Sequence, residues 1–228
     1  MSDVINITNY TAEMLERKGS VYSFVNPYSY DVLIKNKSID FSRITFFSDG
    51  ILFVKMSNAF RGTKLKRFSF DFTSLASEVF EHAGINKLKV AIIGGDELEN
   101  KLAVSVLKNR FSNLDIAYHH HGYIKDDFDI VMKEMNDLGI EVVIAGLGTP
   151  LQEKFLLECL DTMDKLRYGF SCGGFLTQIS QNENYFNPLL SRFHLRWLQR
   201  FIRHDYVRKR VLFDYPKFII GFIFGGRK

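Results

Sequence analysis

The chain has 228 residues, of which 46% are hydrophobic and 25% charged, and this is the composition of an ordinary soluble globular protein. Its length suits one large α/β domain with a small appendage. The two cysteines, Cys159 and Cys172, match no metal-ligand or redox spacing, and no signal-peptide pattern precedes the first polar residues, so we expect a reducing cytoplasm.

The net charge of +4 is distributed unevenly along the chain. Residues 192–228 contain ten Lys and Arg side chains against two Asp, a net charge of +8, which leaves −4 for residues 1–191. We therefore divide the chain into a core domain, residues 1–191, and a basic appendage, residues 192–228. The appendage is where an anionic partner is expected to bind.

The first predicted strand with a candidate site residue is Val21–Val25. Asn26-Pro27 ends this strand, because proline cannot continue the hydrogen-bond ladder and favours an extended preceding residue. Asn26 therefore lies at the carboxyl end of the strand. There the simplest interpretation is that it caps the helix predicted at Tyr30–Lys35.

The segment Arg43–Gly50 repeats this order of strand, polar residue and glycine. The pair Asp49-Gly50 alone is typical of a simple turn. Here, however, an apolar strand brings the Asp49 carboxylate to the same sheet edge that carries Asn26. This context favours more than a turn at Asp49.

Paired glycines follow a third predicted strand, Leu88–Ile93. Gly94 and Gly95 come next, and a helix is predicted at Glu97–Arg110. Strand, glycine turn and helix in this order form half of a nucleotide-binding βαβ unit.

A fourth strand is predicted at Ile140–Ala145, a β-branched run typical of a parallel strand that is buried on both faces. Gly146 and Gly148 follow it. They permit a sharp turn or the close approach of a ligand, because neither carries a side chain.

A helix is predicted directly after this turn. Thr149 suits the N-cap, Pro150 the first helical position, and Gln152 lies three residues after the cap as in a capping box. The free N–H groups of a helix start attract anions, so a phosphate-bearing ligand is one interpretation. The same pattern also occurs as architecture alone, and Leu151 stands where a dinucleotide fingerprint would have its third glycine.

The segment Gly146–Glu153, Gly-Leu-Gly-Thr-Pro-Leu-Gln-Glu, resembles the G-x-G-x-P-x-Q-E signature of the TagA/CpsF/WecG glycosyltransferases. Leu195–Arg200 resembles the L-E-W-L-x-R segment of that family, with Arg196 in place of the glutamate. A further departure is Phe70, which stands where the family has a glycine. The resemblance extends from Asn26 to Arg210.

The resemblance implies an α/β fold with a Rossmann-like parallel sheet, helices on both of its faces, and ligands at the carboxyl ends of the strands. It implies an enzyme that moves a sugar from a nucleotide-sugar, a UDP-sugar, to a lipid-linked saccharide on polyprenyl diphosphate in bacterial surface-polysaccharide synthesis. The transfer would invert the anomeric centre, with Asp49 as general base and no cofactor. The donor sugar, the acceptor and the oligomeric state stay open.

The other site residues that the resemblance implies lie at strand ends, at helix starts and in the appendage. We expect the substrate or nucleotide to be bound by Asn26, Gly50, Gly94, Gly95, Gly148, Pro150, Gln152, Glu153, Gly173, Gly174, Arg200 and Arg208.

Two short patterns resemble metal sites. His119 and His121 share a face of an extended chain, but no Cys or carboxylate at ligand spacing joins them. Asp127-Phe-Asp129 matches the D-x-D motif of metal-dependent glycosyltransferases, yet it falls in the first turn of a helix predicted at Asp126–Leu138. Positions i and i+2 of a helix point apart, so we expect no metal.

The basic appendage is predicted to contain an amphipathic helix, Phe193–Arg210, with Trp197 on its apolar side and arginines on the other. The apolar run Phe218–Phe224 is too short to span a bilayer but suits the membrane interface. We therefore expect a cytoplasmic protein that is peripheral on the inner face of the cell membrane and binds its anionic surface.

Two other functions remain alternatives on sequence alone. One is an NAD(P)-dependent oxidoreductase on the same type of sheet, which the missing G-x-G-x-x-G motif argues against. The other is a nucleic-acid-binding protein that uses the basic appendage, which would leave Asn26, Asp49 and Gln152 without a purpose, so we expect no nucleic acid partner.

Overall fold

A seven-stranded parallel sheet forms the centre of the computed structural model, which describes residues 5–181 and the isolated positions 208, 212, 215 and 216. The strands are β1 (Ile7–Thr8), β2 (Ser20–Val25), β3 (Ile44–Ser48), β4 (Lys89–Gly94), β5 (Asp115–His120), β6 (Val142–Gly146) and β7 (Tyr168–Ser171). Their order across the sheet is β1-β3-β2-β7-β6-β4-β5, and every neighbouring pair is parallel.

Helices cover both faces of this sheet. Within the described residues they are α1 (Pro27–Ile34), α2 (Ile51–Arg61), α3 (Leu75–Ile85), α4 (Glu97–Arg110), α5 (Phe128–Asp137), α6 (Leu151–Thr162) and α7 (Phe175–Gln181). The buried side chains of α1, α2, α5 and α6 pack on one face, and those of α3, α4 and α7 on the other. The predicted α/β class with a Rossmann-like parallel sheet is confirmed.

The strand boundaries follow from burial and from the helix ends beside them. β4 and β6 lie inside the sheet and are apolar throughout their centres, as expected for parallel strands covered on both faces. β6 begins at Val142 rather than at Ile140, because the Ile140 N–H donates to the carbonyl of Met135 at the end of α5.

Aromatic side chains fill much of the face covered by α3, α4 and α7. Phe70 is only 5% exposed, and its ring contacts the rings of Phe80, Phe170 and Phe175 at centroid distances of 5.5 to 5.8 Å. The departure from the family glycine at this position therefore adds a ring to the hydrophobic core.

All seven strands end at the same edge of the sheet, as a parallel arrangement requires. The adjacent strands β2 and β7 come from opposite ends of the described sequence. The turns after β2, β3, β4, β6 and β7 are thereby brought together, and these are the turns that carry most of the predicted site residues. Most of the basic appendage lies outside the described residues.

Candidate active site

The turn after β2 and the turn after β3 are joined by a backbone hydrogen bond. The Asp49 N–H donates to the carbonyl of Val25 over 2.7 Å. Gly50 has a φ of +108°, which favours glycine, and a Cβ built there would lie 3.9 Å from Cβ of Asn26. The predicted neighbours Asn26, Asp49 and Gly50 are therefore brought together at one edge.

Asn26 is the N-cap of α1. Its Oδ1 accepts the backbone N–H groups of Tyr28 and Ser29, and the Ser29 hydroxyl accepts the Asn26 N–H, which completes a capping box. The capping interpretation of Asn26 is confirmed, although α1 begins at Pro27 and not at the predicted Tyr30. The cap leaves the Nδ2 group for other contacts. Asn26 is partly exposed, so a pocket role is compatible with the cap.

Arg67 is a site residue that the sequence analysis missed. Its Nη2 lies 3.1 Å from Oδ1 of Asp49, and both side chains are about one-fifth exposed, 21% and 20%. The segment that carries Arg67 is held against β3, since the Phe68 N–H donates to the Ser48 carbonyl over 2.9 Å. The Asp49 carboxylate therefore faces a fixed positive charge.

Asp71 is a second carboxylate beside the same Nη2 atom of Arg67. Its carboxylate accepts hydrogen bonds from the Ser69 hydroxyl, over 2.7 Å, and from the Thr73 N–H, over 2.9 Å, and its Oδ2 lies 3.6 Å from Arg67 Nη2. Asp71 is 4% exposed. This buried carboxylate orients the guanidinium toward Asp49. A spacing of four, as between Arg67 and Asp71, predicts a contact only on a helix, and this segment is not helical, so the sequence has no local signal for the group.

The glycines at the strand ends fall into two kinds. A Cβ on Gly94 would lie 2.7 Å from the carbonyl oxygen of Gly146, and a Cβ on Gly146 would lie 2.7 Å from the carbonyl oxygen of Gly173. These glycines are required because neighbouring turns pack backbone against backbone. Gly148 and Gly173 have positive φ and no described atom within 4 Å of an added Cβ, so these two offer exposed backbone at the edge.

The helix start after β6 differs from the prediction. α6 begins at Leu151, the N-cap position is Pro150, and no side chain caps it, so the predicted Thr149 cap is wrong. The reason is that the Thr149 hydroxyl donates to Oε1 of Glu153 over 3.2 Å and accepts from Nε2 of Gln152. The side chains of Thr149, Gln152 and Glu153 bond to one another, and none of them caps a helix N–H group.

Glu153 is the centre of a buried polar network beneath the sheet edge. Its Oε1 accepts hydrogen bonds from Ser23 on β2 (2.7 Å), from Gln152 Nε2 (3.0 Å) and from Thr149. The Ser23 hydroxyl lies 2.9 Å from that of Ser171 on β7. Glu153 is completely buried, and this burial raises the pKa of its carboxyl above the ordinary value of 4.5.

The raised pKa of Glu153 predicts a pH-dependent stability. Because the folded protein holds the Glu153 proton more tightly than the unfolded chain, the free energy of unfolding decreases as pH rises above 4.5 through the folded-state pKa. Glu153→Gln removes this ionisation. We expect the melting temperature of Glu153→Gln, relative to that of the wild type, to increase from pH 4.5 upward in calorimetry. A constant or shrinking difference would contradict the assignment.

The turn after β5 is organised by Asn100 of α4. The Asn100 Nδ2 group donates to the carbonyls of Gly94 and His120, over 3.0 and 2.8 Å, and its Oδ1 lies 2.9 Å from Nδ1 of His119. Burial lowers the pKa of the His119 imidazole. His119 is thus part of the hydrogen-bonded scaffold between β4 and β5.

The D-x-D pattern lies at a helix start, as predicted, because α5 begins at Phe128 with Asp127 at the N-cap position. Both Asp127 and Asp129 are exposed. Within residues 5–181 and the four isolated positions, no three His, Cys, Asp or Glu side chains are grouped so that they would hold a metal ion.

Two predicted site residues belong to the basic appendage. Arg200 lies outside the described residues, and Arg208 is one of the isolated described positions, where it is partly buried. Apart from Arg208, the predicted amphipathic helix and the apolar run near the C-terminus also lie outside them. In the part of the chain that is described, the helices are too short or too polar to cross a bilayer.

The sheet edge with its Asp49–Arg67 pair and the signature helix can now be compared with known proteins. A family model described as "Glycosyl transferase WecG/TagA/CpsF family" matches residues 4–227. The chain belongs to this family. The match covers both the core domain and the basic appendage, and the family activity favours the glycosyltransferase prediction over the oxidoreductase and nucleic-acid-binding alternatives.

Individual relatives differ in the sugar that their names state. A UDP-Gal:alpha-D-GlcNAc-diphosphoundecaprenol beta-1,4-galactosyltransferase of Shigella boydii is 37% identical over 98% of this chain and 94% of its own length. An N-acetylglucosaminyldiphosphoundecaprenol N-acetyl-beta-D-mannosaminyltransferase of Bacillus subtilis (strain 168) is 26% identical over 90% and 79%. A protein of the same name from Staphylococcus aureus (strain MRSA252) is 24% identical over 55% and 49%.

Proposed function

We propose that this protein transfers a hexosyl group, galactose in the first instance, from a UDP-sugar to a hydroxyl of N-acetylglucosamine on diphosphoundecaprenol. The galactosyltransferase relative supports this donor and acceptor, since it matches 98% of the chain at 37% identity, against 26% for the mannosaminyltransferase of Bacillus subtilis. UDP-N-acetylmannosamine is therefore the second candidate for the donor.

The observation that carries the mechanism is the Asp49 carboxylate at the end of β3, held 3.1 Å from Arg67. A general base must be ionised, fixed in orientation and accessible to the proton it removes. The ion pair with Arg67 fixes the orientation of the carboxylate, and the partial exposure of Asp49 leaves one side of it open. Asp49 takes the proton of the acceptor hydroxyl as that hydroxyl attacks the anomeric carbon of the donor.

A single displacement of this kind inverts the anomeric configuration. The sugar of UDP-galactose is α-linked, and the product named for the Shigella boydii relative is β-1,4-linked. The same stereochemistry follows here if one nucleophile replaces UDP without a covalent intermediate. Asp49 then acts on the acceptor and forms no bond to the sugar.

The leaving diphosphate needs groups that stabilise its growing negative charge. We assign this role to the exposed backbone at Gly148 and Gly173, to the start of α6 and to the appendage arginines Arg200 and Arg208. With these groups in place, the transfer requires no metal. Asn26, through its Nδ2 group, completes the acceptor side of the pocket.

The direct test is transfer by the full-length protein to a short-chain lipid diphosphate that carries N-acetylglucosamine. We expect UDP-galactose to be used at least ~10-fold more efficiently than UDP-glucose, UDP-N-acetylglucosamine and UDP-N-acetylmannosamine, a discrimination typical of single contacts in a binding pocket. NMR of the product should show a β linkage, and EDTA should not abolish the reaction. Transfer from none of these donors would contradict the proposed function.

The basic appendage is proposed to hold the enzyme at an anionic membrane, where a lipid-linked acceptor resides. Each basic residue near such a surface contributes about 1 kcal/mol, so ten of them would give firm attachment that salt weakens. In vesicle sedimentation we expect the protein to bind phosphatidylglycerol vesicles at low salt, to dissociate from them at high salt, and not to bind phosphatidylcholine vesicles. A truncated protein that ends at Ser191 should bind neither kind of vesicle. If it bound phosphatidylglycerol vesicles as well as the full-length protein does, the appendage would not have this role.

A further inference from the structure

Two neighbouring polar side chains in the first turn of α6 are almost completely buried. Gln152 is 3% exposed and Glu153 is 0% exposed. Burying polar groups costs free energy unless they are hydrogen-bonded, so their arrangement should reflect a definite role. The proposed acid–base step uses neither of them.

The amide nitrogen of Gln152 has two hydrogens, and both are engaged inside the protein. Nε2 donates to Oε1 of Glu153 over 3.0 Å and to Oγ1 of Thr149 over 3.2 Å. The carbonyl oxygen of the same side chain, Oε1, has no hydrogen-bond partner among the described residues. Gln152 therefore has a buried acceptor without a partner and no spare donor, and Oε2 of the neighbouring Glu153 is likewise unpartnered among the described residues.

Glu153 determines this orientation of the amide. The hydrogen bonds around it run in one direction: the Phe24 N–H donates to the Ser171 hydroxyl, which donates to Ser23, which donates to Oε1 of Glu153. Oε1 of Glu153 is consequently an acceptor. If the Gln152 amide were reversed, its oxygen would face this acceptor with no hydrogen between them, which is unfavourable in a buried site.

We propose that Glu153 is a positioning residue that fixes the Gln152 amide with its carbonyl oxygen free, and that this oxygen accepts a hydrogen bond from a hydroxyl of one of the two sugars in the transfer. The inference rests on the proposed function. A diphosphate oxygen carries no hydrogen at neutral pH and cannot satisfy a carbonyl, whereas a sugar hydroxyl can. Gln152 of the signature thus binds a sugar hydroxyl, and Glu153 of the signature fixes the orientation in which it does so.

Substrates in which one hydroxyl is replaced by fluorine test the contact, because fluorine cannot donate a hydrogen bond. We expect the wild type to lose about 10- to 100-fold in kcat/KM at one hydroxyl, as when a buried acceptor is left unsatisfied. The series of UDP-sugar donors and the series of acceptors are measured separately, so the affected series identifies which sugar Gln152 contacts. No affected hydroxyl in either series would overturn the proposal.

Three variants then separate positioning from a purely structural role. Gln152→Leu should transfer the parent and the critical fluoro substrate at similar rates, because the acceptor is gone. Glu153→Met should lose the same discrimination, whereas Glu153→Gln, which retains a carbonyl acceptor, should keep it. If Glu153→Met slowed all substrates equally but kept the discrimination of the wild type, Glu153 would be a structural residue only.

A measurement without turnover distinguishes this inference from the proposed function. In full-length protein labelled with ¹⁵N-glutamine, the side-chain NH₂ of Gln152 should exchange with solvent far more slowly than that of exposed Gln181. The exchange should stay slow in Glu153→Gln and become fast in Glu153→Met. Fast exchange in the wild type would overturn the positioning role even if transfer is observed. Absence of all transfer with slow exchange would instead contradict the proposed function.

Discussion

Asp49→Asn is expected to lower the rate of sugar transfer by about 10²- to 10⁴-fold while UDP binding persists, since general-base catalysis contributes this much. The substitution keeps the shape of the side chain and an oxygen that still accepts the hydrogen bond of Arg67, 3.1 Å away. Only the basicity is removed. Steady-state transfer assays and UDP titration by calorimetry measure the two quantities on the same protein.

The chain offers a matched control for this variant. Asp161 of α6 forms an ion pair with Arg43, so it is also a carboxylate bonded to a guanidinium, but its side chain is 54% exposed and lies away from the strand ends. Asp161→Asn should keep transfer within about twofold, because exposed ion pairs contribute little. Near-normal turnover in Asp49→Asn would remove Asp49 from the mechanism.

Arg67 variants are expected to have the second largest effect. Arg67→Met should reduce transfer by about 10²- to 10³-fold, comparable with the loss of one electrostatic donor in an active site. The variant also leaves the buried carboxylate of Asp71 without its guanidinium neighbour at 3.6 Å. Arg67→Lys keeps the charge but loses the rigid, planar guanidinium whose Nη2 lies near both Asp49 and Asp71, so it should recover only part of the rate.

The interaction between Arg67 and Asp49 can be measured directly. If Arg67 acts through Asp49, then Arg67→Met combined with Asp49→Asn should be about as slow as Asp49→Asn alone, because residues that act as a unit are not additive. Arg43→Met is the matched control, since it breaks the surface pair with Asp161. Fully additive losses would mean that Arg67 contributes elsewhere, for example at the diphosphate.

The strands and their polar ends were predictable because the signal for each is local. β-branched runs such as that of β6, followed by glycine, predict a buried strand and a turn from adjacent residues alone. Parallel pairing then places Asn26, Asp49 and Gly148 at one edge without further information. The Asn26 cap was equally local, because asparagine is a preferred N-cap residue, although the helix start was predicted three residues too late.

The contacts that orient the site were not predictable, because they join distant parts of the chain. Glu153 is hydrogen-bonded to Ser23, which is 130 residues away in sequence. Its burial cannot be inferred without knowing that β2 pairs with β7. Arg67 reaches Asp49 from a segment without regular secondary structure. The Thr149 cap was predicted from local propensity. It does not form, because the Thr149 hydroxyl donates a hydrogen bond to Glu153 instead.

The central claim, that Asp49 removes the proton of the attacking hydroxyl, is tested most directly with an acceptor in which that hydroxyl is replaced by a thiol. A thiol has a pKa of about 8.5 and ionises without the help of a base. The account predicts that Asp49→Asn loses about 10²-fold or more with the hydroxyl acceptor but less than about 10-fold with the thiol acceptor. Equal losses with both acceptors would contradict it.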